Sequence, residues 1–177
     1  MVDFYPSRTA AGGYQTYPRI DDVIHGQTGA MTQYQRESYE ATGYLMLKGL
    51  LDAHDLRMLK DATQRMFENP EGECAFIVVE PGSNVVRSVF GIHDKYAFGR
   101  HIKNSKLEAI TSEICGGETY VHQSRINFKA PLQATGWTWH SDFETWHVED
   151  GMPRMRCVSA MICVDDNTHH NGPLMVI

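Results

Sequence analysis

A change of apolar periodicity near Gly117 restricts the possible folds more than any other feature of this sequence. Ahead of it, apolar residues recur at helical spacing. Leu56, Leu59, Ala62, Met66 and Phe67 fall three or four apart behind Asp52, a good helix cap, so a helix is predicted from Asp52 to about Phe67, broken by "ENPEGE". Thr32 is placed to cap a shorter helix, Gln33 to Ala41, that stops near Gly43. "FGRHIKNSKLEAITSEICG" reads as one more helix ending at Gly116-Gly117. "AFIVVE" (75–80) and "VVRSVFGI" (85–92) read as strands around the turn "PGSN", and "YLMLKGL" (44–50) as another strand. Beyond Gly117 the texture is β, through "TYVHQSRINFKA", "GWTWHSDFETWH", "MRCVSAMICVDD" and "GPLMVI". Helices first and short strands later predict an α+β domain whose β part is a barrel or double-sheet jelly roll. Residues 1–30 carry Gly12, Gly13, Gly26, Gly29 and two prolines and read as an irregular arm, which leaves 31–177 for the domain.

Composition narrows the function classes. With 42% hydrophobic and 21% charged residues in 177, the chain can build one core and is not disordered by composition. A formal net charge of −6, without clustered Lys and Arg, argues against nucleic acid or an anionic membrane as partner. There is no apolar run of bilayer length, and "MVDFYPSRTAAGGYQTYPR" lacks the apolar core of a signal peptide, so a cytoplasmic protein is expected. Cys74, Cys115, Cys157 and Cys163 form no C-x-x-C pair and are read as buried free thiols.

Residues 119–129 alternate. Tyr120, His122, Ser124, Ile126 and Phe128 fall on one side of an extended segment, and Gln123, Arg125, Asn127 and Lys129 on the other. Alternation alone favours a solvent face for the second set. A cavity wall rich in donors for a carboxylate is the competing reading.

The stretch "WHSDFETWHVEDGMPR" (139–154) concentrates polar and aromatic chemistry. On an extended segment His140 and Asp142, two apart, leave the same face and can meet at one ion. One imidazole and one carboxylate, joined by a distant second His, make the facial triad of non-haem Fe(II), whose open positions suit oxygen chemistry. A lone H-x-D is common by chance, and the aromatic β setting is what favours a metal here. On the same extended reading Glu144 and Trp146 continue the ligand face. Trp146 is either core or a wall for a cationic ring. His147 reads as a structural histidine, 149–153 as a turn, and His169 and His170 as solvated loop residues.

The run "WHSDFETWHVEDGMPRMR" closely resembles the signature of the ectoine hydroxylases, a branch of the phytanoyl-CoA dioxygenase superfamily of Fe(II)- and 2-oxoglutarate-dependent oxygenases. "YLMLKGL", "HQSRINFK" and "DNTHHNGPLMVI" support it, and the similarity runs from about residue 30. The resemblance implies a double-stranded β-helix (jelly roll, cupin-like) with N-terminal helices. It implies Fe(2+), 2-oxoglutarate and O2 as reactants with ectoine, and 5-hydroxyectoine, succinate and CO2 as products. His140 and Asp142 match iron ligands. Lys129 matches a residue contacting 2-oxoglutarate, with Asn127, Arg125, Trp137 and Ser159 at positions lining the same cavity. Gln123 and Trp146 match ectoine contacts, with Thr145 beside them. On this reading the polar face of 123–129 looks into the active site. Trp137 stands where relatives usually carry Phe. A homodimer is also implied.

The family's third ligand, a distal His, and an Arg for the far carboxylate of 2-oxoglutarate belong to the later half of its jelly roll. Such a roll needs about eight strands, so the fold is expected to be incomplete at the C-terminus. A related oxygenase acting on another small zwitterion, an inactive fragment lacking the third ligand, and a divalent-metal hydrolase are the alternatives.

Overall fold

The computed structural model describes residues 23–70 and 76–177, without the Tyr96 side chain. Most of the predicted arm, Cys74 and part of "ENPEGE" lie outside the described residues. Two compact units are present. Of the described residues, one comprises 23–46, Glu108–Thr119 and Thr138–Ala160, and the other 47–70, 76–107, Tyr120–Trp137 and Met161–Ile177.

In the first unit α1 spans Gln33–Thr42. Thr32 accepts from the Gln35 backbone N–H while the Gln35 side chain accepts from the Thr32 N–H, a reciprocal capping box. Gly43 ends the helix at φ 76°, a conformation that costs glycine no steric penalty. Helix α4, Ser105–Cys115, supplies this unit with Ile110, Glu113 and Ile114, all buried. Glu113 ties the preceding segment to the helix: its Oε2 accepts from Thr28 Oγ1 at 2.8 Å and from the N–H groups of Ala30 and Met31. Its Oε1 accepts from Arg36 Nη2, which also donates to Gly26 O. Backbone bonds from His25 and Gly26 to Ile114 O and Glu113 O run alongside. A Cβ on Gly26 would stand 2.9 Å from Glu113 O, so this close approach requires glycine.

The second unit is built on α2, Ala53–Glu68, capped by the Asp52 side chain on Asp55 N–H. It packs against the antiparallel sheet β1 (Phe76–Val79), β2 (Val86–Phe90) and β3 (Arg125–Asn127), in spatial order β1-β2-β3. Pro81 and Gly82, at φ 74°, close the β1–β2 hairpin with Ser83 N–H on Glu80 O, as a Pro-Gly turn should. Ile77, Val89 and Ile126 are register partners across the three strands. They face the core cluster of Leu59, Ala62, Met66, Val89, Ile92 and Phe98. Each of the larger buried side chains, Ala62 excepted, contributes about 1.5–3 kcal/mol of burial free energy. The opposite face carries Phe76, packed edge-on against Phe90, with Arg125 over the Phe90 ring and Asn127 beside Ser88. The alternation of 125–129 is therefore real: Ile126 and Phe128 join the core and the odd residues face away from it.

Several expectations are corrected. Residues 98–116 form two helices, α3 (Tyr96–Ile102) and α4, because Asn104 accepts from the Lys106 and Leu107 N–H groups and starts a new helix. No strand forms at 44–50, where Gly49 turns the chain at φ 67°, nor at 155–166 or 172–177. Apolar runs become strands only with a partner edge, and the sheet among the described residues has three strands. The described residues contain helices and an antiparallel sheet, an α+β composition. The run 136–147, expected as β, instead contains helix α5, Asp142–Glu149. Among the described residues no helix is long and apolar enough to cross a membrane. Cys163 is exposed rather than buried, while Cys115 and Cys157 are half-buried, and all three are free thiols.

Candidate metal centre and the residues around it

Helix α5 places the two predicted ligands. Ser141 is its N-cap residue, Asp142 opens the first turn with Glu144, and both acids complement the partial positive charge of the helix start. His140 lies one residue before the cap. The sharp change from extended chain to helix brings His140 Nε2 to 3.5 Å from Asp142 Oδ1. The predicted convergence is present, though its cause is a helix start rather than period-two alternation. The correction extends to their neighbours. On a helix Thr145 and Trp146, three and four residues on, share the face of Asp142, whereas Glu144 does not.

Two further contacts prepare the pair. His140 Nδ1 lies 2.6 Å from Thr138 O, and a carbonyl can only accept, so Nδ1 carries the proton. The Nε2 lone pair is thereby left free for a cation, the usual arrangement of a metal-binding imidazole. Ser159 Oγ donates to Asp142 Oδ2 at 2.8 Å and leaves Oδ1 facing the imidazole. His147, read as structural, pairs through Nδ1 with Met152 O at 2.6 Å and stacks on the buried Phe143. Burial pushes the Cys157 thiol up to about 11, with Cys115 and Asp142 adding to the shift. Among the described residues no third His, Cys, Asp or Glu joins His140 and Asp142 in a group that could hold a metal. The donor set fits two positions of a two-histidine, one-carboxylate iron site.

The other predicted contacts lie in the second unit. Gln123 is exposed just ahead of β3, and Arg125 and Asn127 occupy the sheet face turned from the core. Asn127 Oδ1 accepts from Ser88 Oγ at 2.8 Å. Lys129 Nζ donates to Gly172 O at 2.5 Å and lies over the Trp137 ring, 5.3 Å from its centre. Sequence reasoning missed what holds Trp137. Arg87 stacks on its ring with Cζ at 3.9 Å, donates to both oxygens of the buried Glu80 and bonds Thr135 Oγ1 and Gly136 O. Thr135 donates to Glu80 through Oγ1 and N–H. Hydrogen bonds from Thr135, with the Arg87 guanidinium, outweigh burial and hold the Glu80 carboxyl below the usual range. No sequence signal ties residues 80 and 87 to 135. His169 and His170 are exposed loop residues, as expected.

Comparison with known proteins agrees with the resemblance. Ectoine dioxygenase of Sphingopyxis alaskensis is 39% identical over 182 residues, covering 100% of this chain and 59% of the relative. The Stutzerimonas stutzeri ectoine dioxygenase is 40% identical over 183 residues, covering 100% and 60%. The crystal structure of S. alaskensis EctD with 2-oxoglutarate and 5-hydroxyectoine superposes with a TM-score of 0.81 at 38% identity, over 88% of this chain and 56% of that one. The same protein with bound Fe gives 0.79. This chain thus spans about 60% of the length of the relatives it matches. Residues 39–177, well over half of the sequence and including both candidate ligands, match the description phytanoyl-CoA dioxygenase (PhyH), and the chain belongs to that family.

Proposed function

We propose that this chain is part of an Fe(II)- and 2-oxoglutarate-dependent dioxygenase that hydroxylates ectoine to 5-hydroxyectoine. O2 is consumed, with one oxygen atom going to succinate and the other to the ring carbon, and CO2 is released. The observation that carries the reading is the His140–Asp142 pair, with its imidazole tautomer fixed by Thr138 and its carboxylate held by Ser159. Similarity to relatives named ectoine dioxygenase supplies the substrate.

His140 and Asp142 would hold the iron, whose contribution when bound is redox chemistry on O2 beside the chelated keto acid. Lys129, Asn127, Arg125 and Ser159 bind and orient 2-oxoglutarate, the ammonium and guanidinium answering its carboxylates. Gln123, Thr145 and Trp146 hold ectoine. Its cyclic amidinium suits the indole face, and its carboxylate suits an amide donor. A distal His as third protein ligand, residues 31–177 as the N-terminal part of a single jelly-roll domain, homodimerisation and a cytoplasmic setting belong to the same proposal.

The test uses the protein with whatever sequence follows residue 177 in its gene. With Fe(II), 2-oxoglutarate and O2, ectoine should yield 5-hydroxyectoine and succinate in equal amounts, and His140→Ala should abolish both. Succinate formed with proline but not with ectoine would move the chain to a related oxygenase. A wild-type protein that neither binds iron nor turns over 2-oxoglutarate overturns the reading.

A further inference from the structure

The second unit holds an assembly that the proposed reaction does not itself explain. Glu80 is buried at the end of β1, and a buried carboxylate persists only if compensated. Arg87 compensates it across the hairpin, and Thr135 completes the set through its hydroxyl and N–H. The guanidinium is a planar fork that bonds through its edge and stacks through its face. With its N–H groups committed to Glu80, Thr135 and Gly136, its Cζ lies over the Trp137 ring, 3.9 Å from the ring centre. The hairpin therefore fixes residues 135–137, and with them the indole.

The same indole underlies a second cation. Lys129 leaves the end of the sheet, and its ammonium lies 5.3 Å from the ring centre, donating to Gly172 O. The two cations differ in their counter-charges. Arg87 is neutralised by Glu80 at 2.9 Å, whereas among the described residues Lys129 meets an aromatic face and a carbonyl oxygen, both uncharged. An ammonium held by neutral acceptors keeps its positive charge available for an anion.

We propose that Trp137, fixed by the Glu80–Arg87–Thr135 bridge, is a positioning residue that holds the Lys129 ammonium ready for a carboxylate of the keto-acid co-substrate. The assignment of that anion rests on the function proposed above. The positioning of Lys129 by the indole does not. Trp137 acts through Lys129 and need not touch the co-substrate.

Three measurements test this. By NMR of the full-length protein without iron or co-substrate, the Lys129 ε-methylene protons should be shifted upfield by the indole. That shift should vanish in Trp137→Leu and survive in weakened form in Trp137→Phe. In titrations with 2-oxoglutarate, Trp137→Leu should weaken binding by about three- to tenfold, the size expected of a cation–π contact with partial desolvation. Trp137→Phe should stay within about threefold of wild type for the same reason. In turnover the loss should fall on KM for 2-oxoglutarate, with kcat and KM for ectoine little changed. In a Lys129→Met background the Leu substitution should add nothing, which a general loss of packing would not reproduce. An unshifted Lys129 in the wild type, or equal losses in both backgrounds, overturns the positioning role. A shifted Lys129 in a protein that does not bind 2-oxoglutarate leaves the positioning intact and removes the keto acid as its anion.

Discussion

Ser159 Oγ donates to Asp142 Oδ2 at 2.8 Å, while Oδ1 of the same carboxylate faces His140 Nε2 at 3.5 Å. One oxygen is occupied by a hydroxyl and the other is turned toward the imidazole, so the carboxylate is oriented before any cation arrives. Outer hydrogen bonds of this kind typically change metal affinity by about 10- to 100-fold. Ser159→Ala should therefore weaken Fe(II) or Co(II) binding by about tenfold or more, measured anaerobically without 2-oxoglutarate so that loss of a co-substrate contact cannot contribute. Ser159→Thr, which keeps the hydroxyl, should recover most of it. Equal metal affinity in the Ala variant and the wild type would show that the bond does not orient the ligand.

Glu113 carries the corresponding structural burden in the first unit. Burial pushes its carboxyl up, but bonds from Thr28, Ala30, Met31 and the Arg36 guanidinium outweigh that and leave it below the ordinary value. Removing one partner of a buried pair typically costs about 3–5 kcal/mol, so Glu113→Leu, which strands Arg36, should lower the urea midpoint sharply. The pH dependence has a definite sign. A carboxyl depressed in the folded state stabilises fully above its unfolded value, near 4.3. That stabilisation is lost as pH falls through the lower folded value. Glu113→Gln should therefore flatten the acid limb of stability below about pH 4.3. An acid limb as steep as that of wild type would show that another carboxylate dominates it.

What could be read from the sequence was mostly local. Thr32, Gly43 and Asp52 announced two helices because caps and stops act within a turn, and "PGSN" announced a hairpin for the same reason. The candidate pair His140 and Asp142 was legible from residue type. Its geometry was not, because the run 136–147 reads as β while the chain there turns into α5. A signal was available: Ser141 followed by Glu144 matches the pattern of a helix start, although the Ser141 side chain makes no cap bond. The strands expected at 155–166 and 172–177 failed because strand formation depends on an edge elsewhere in the chain, which no local pattern reports. The Glu80–Arg87–Thr135 bridge was invisible for the same reason, joining residues 55 positions apart.

The thiols should divide by environment. Cys163 is exposed, Cys115 is raised by burial, and Cys157 is raised to about 11. The thiolate is the reactive form. At pH 8, iodoacetamide should modify Cys163 ahead of Cys115 and Cys157 and leave those two largely unmodified until the protein is denatured, as followed by peptide mass spectrometry. Early labelling of Cys157 would mean that its burial is not maintained in solution.

Gly172 sits in the "NGPLM" run at φ 69°, and a Cβ there would lie 2.5 Å from Lys129 Nζ. Gly172→Ala should therefore do two separable things. The left-handed backbone should cost about 1–2 kcal/mol of stability, as for any residue bearing a Cβ. The methyl group should also displace the Lys129 ammonium from Gly172 O and weaken 2-oxoglutarate binding. Gly49→Ala isolates the first effect, since Gly49 has φ 67° and no neighbour within 4 Å of its Cβ position. The two variants should melt at similarly reduced temperatures, but only Gly172→Ala should raise KM for 2-oxoglutarate and move the Lys129 resonances. If Gly49→Ala raises KM equally, the effect belongs to general destabilisation, and the Gly172 carbonyl has no special part in holding Lys129.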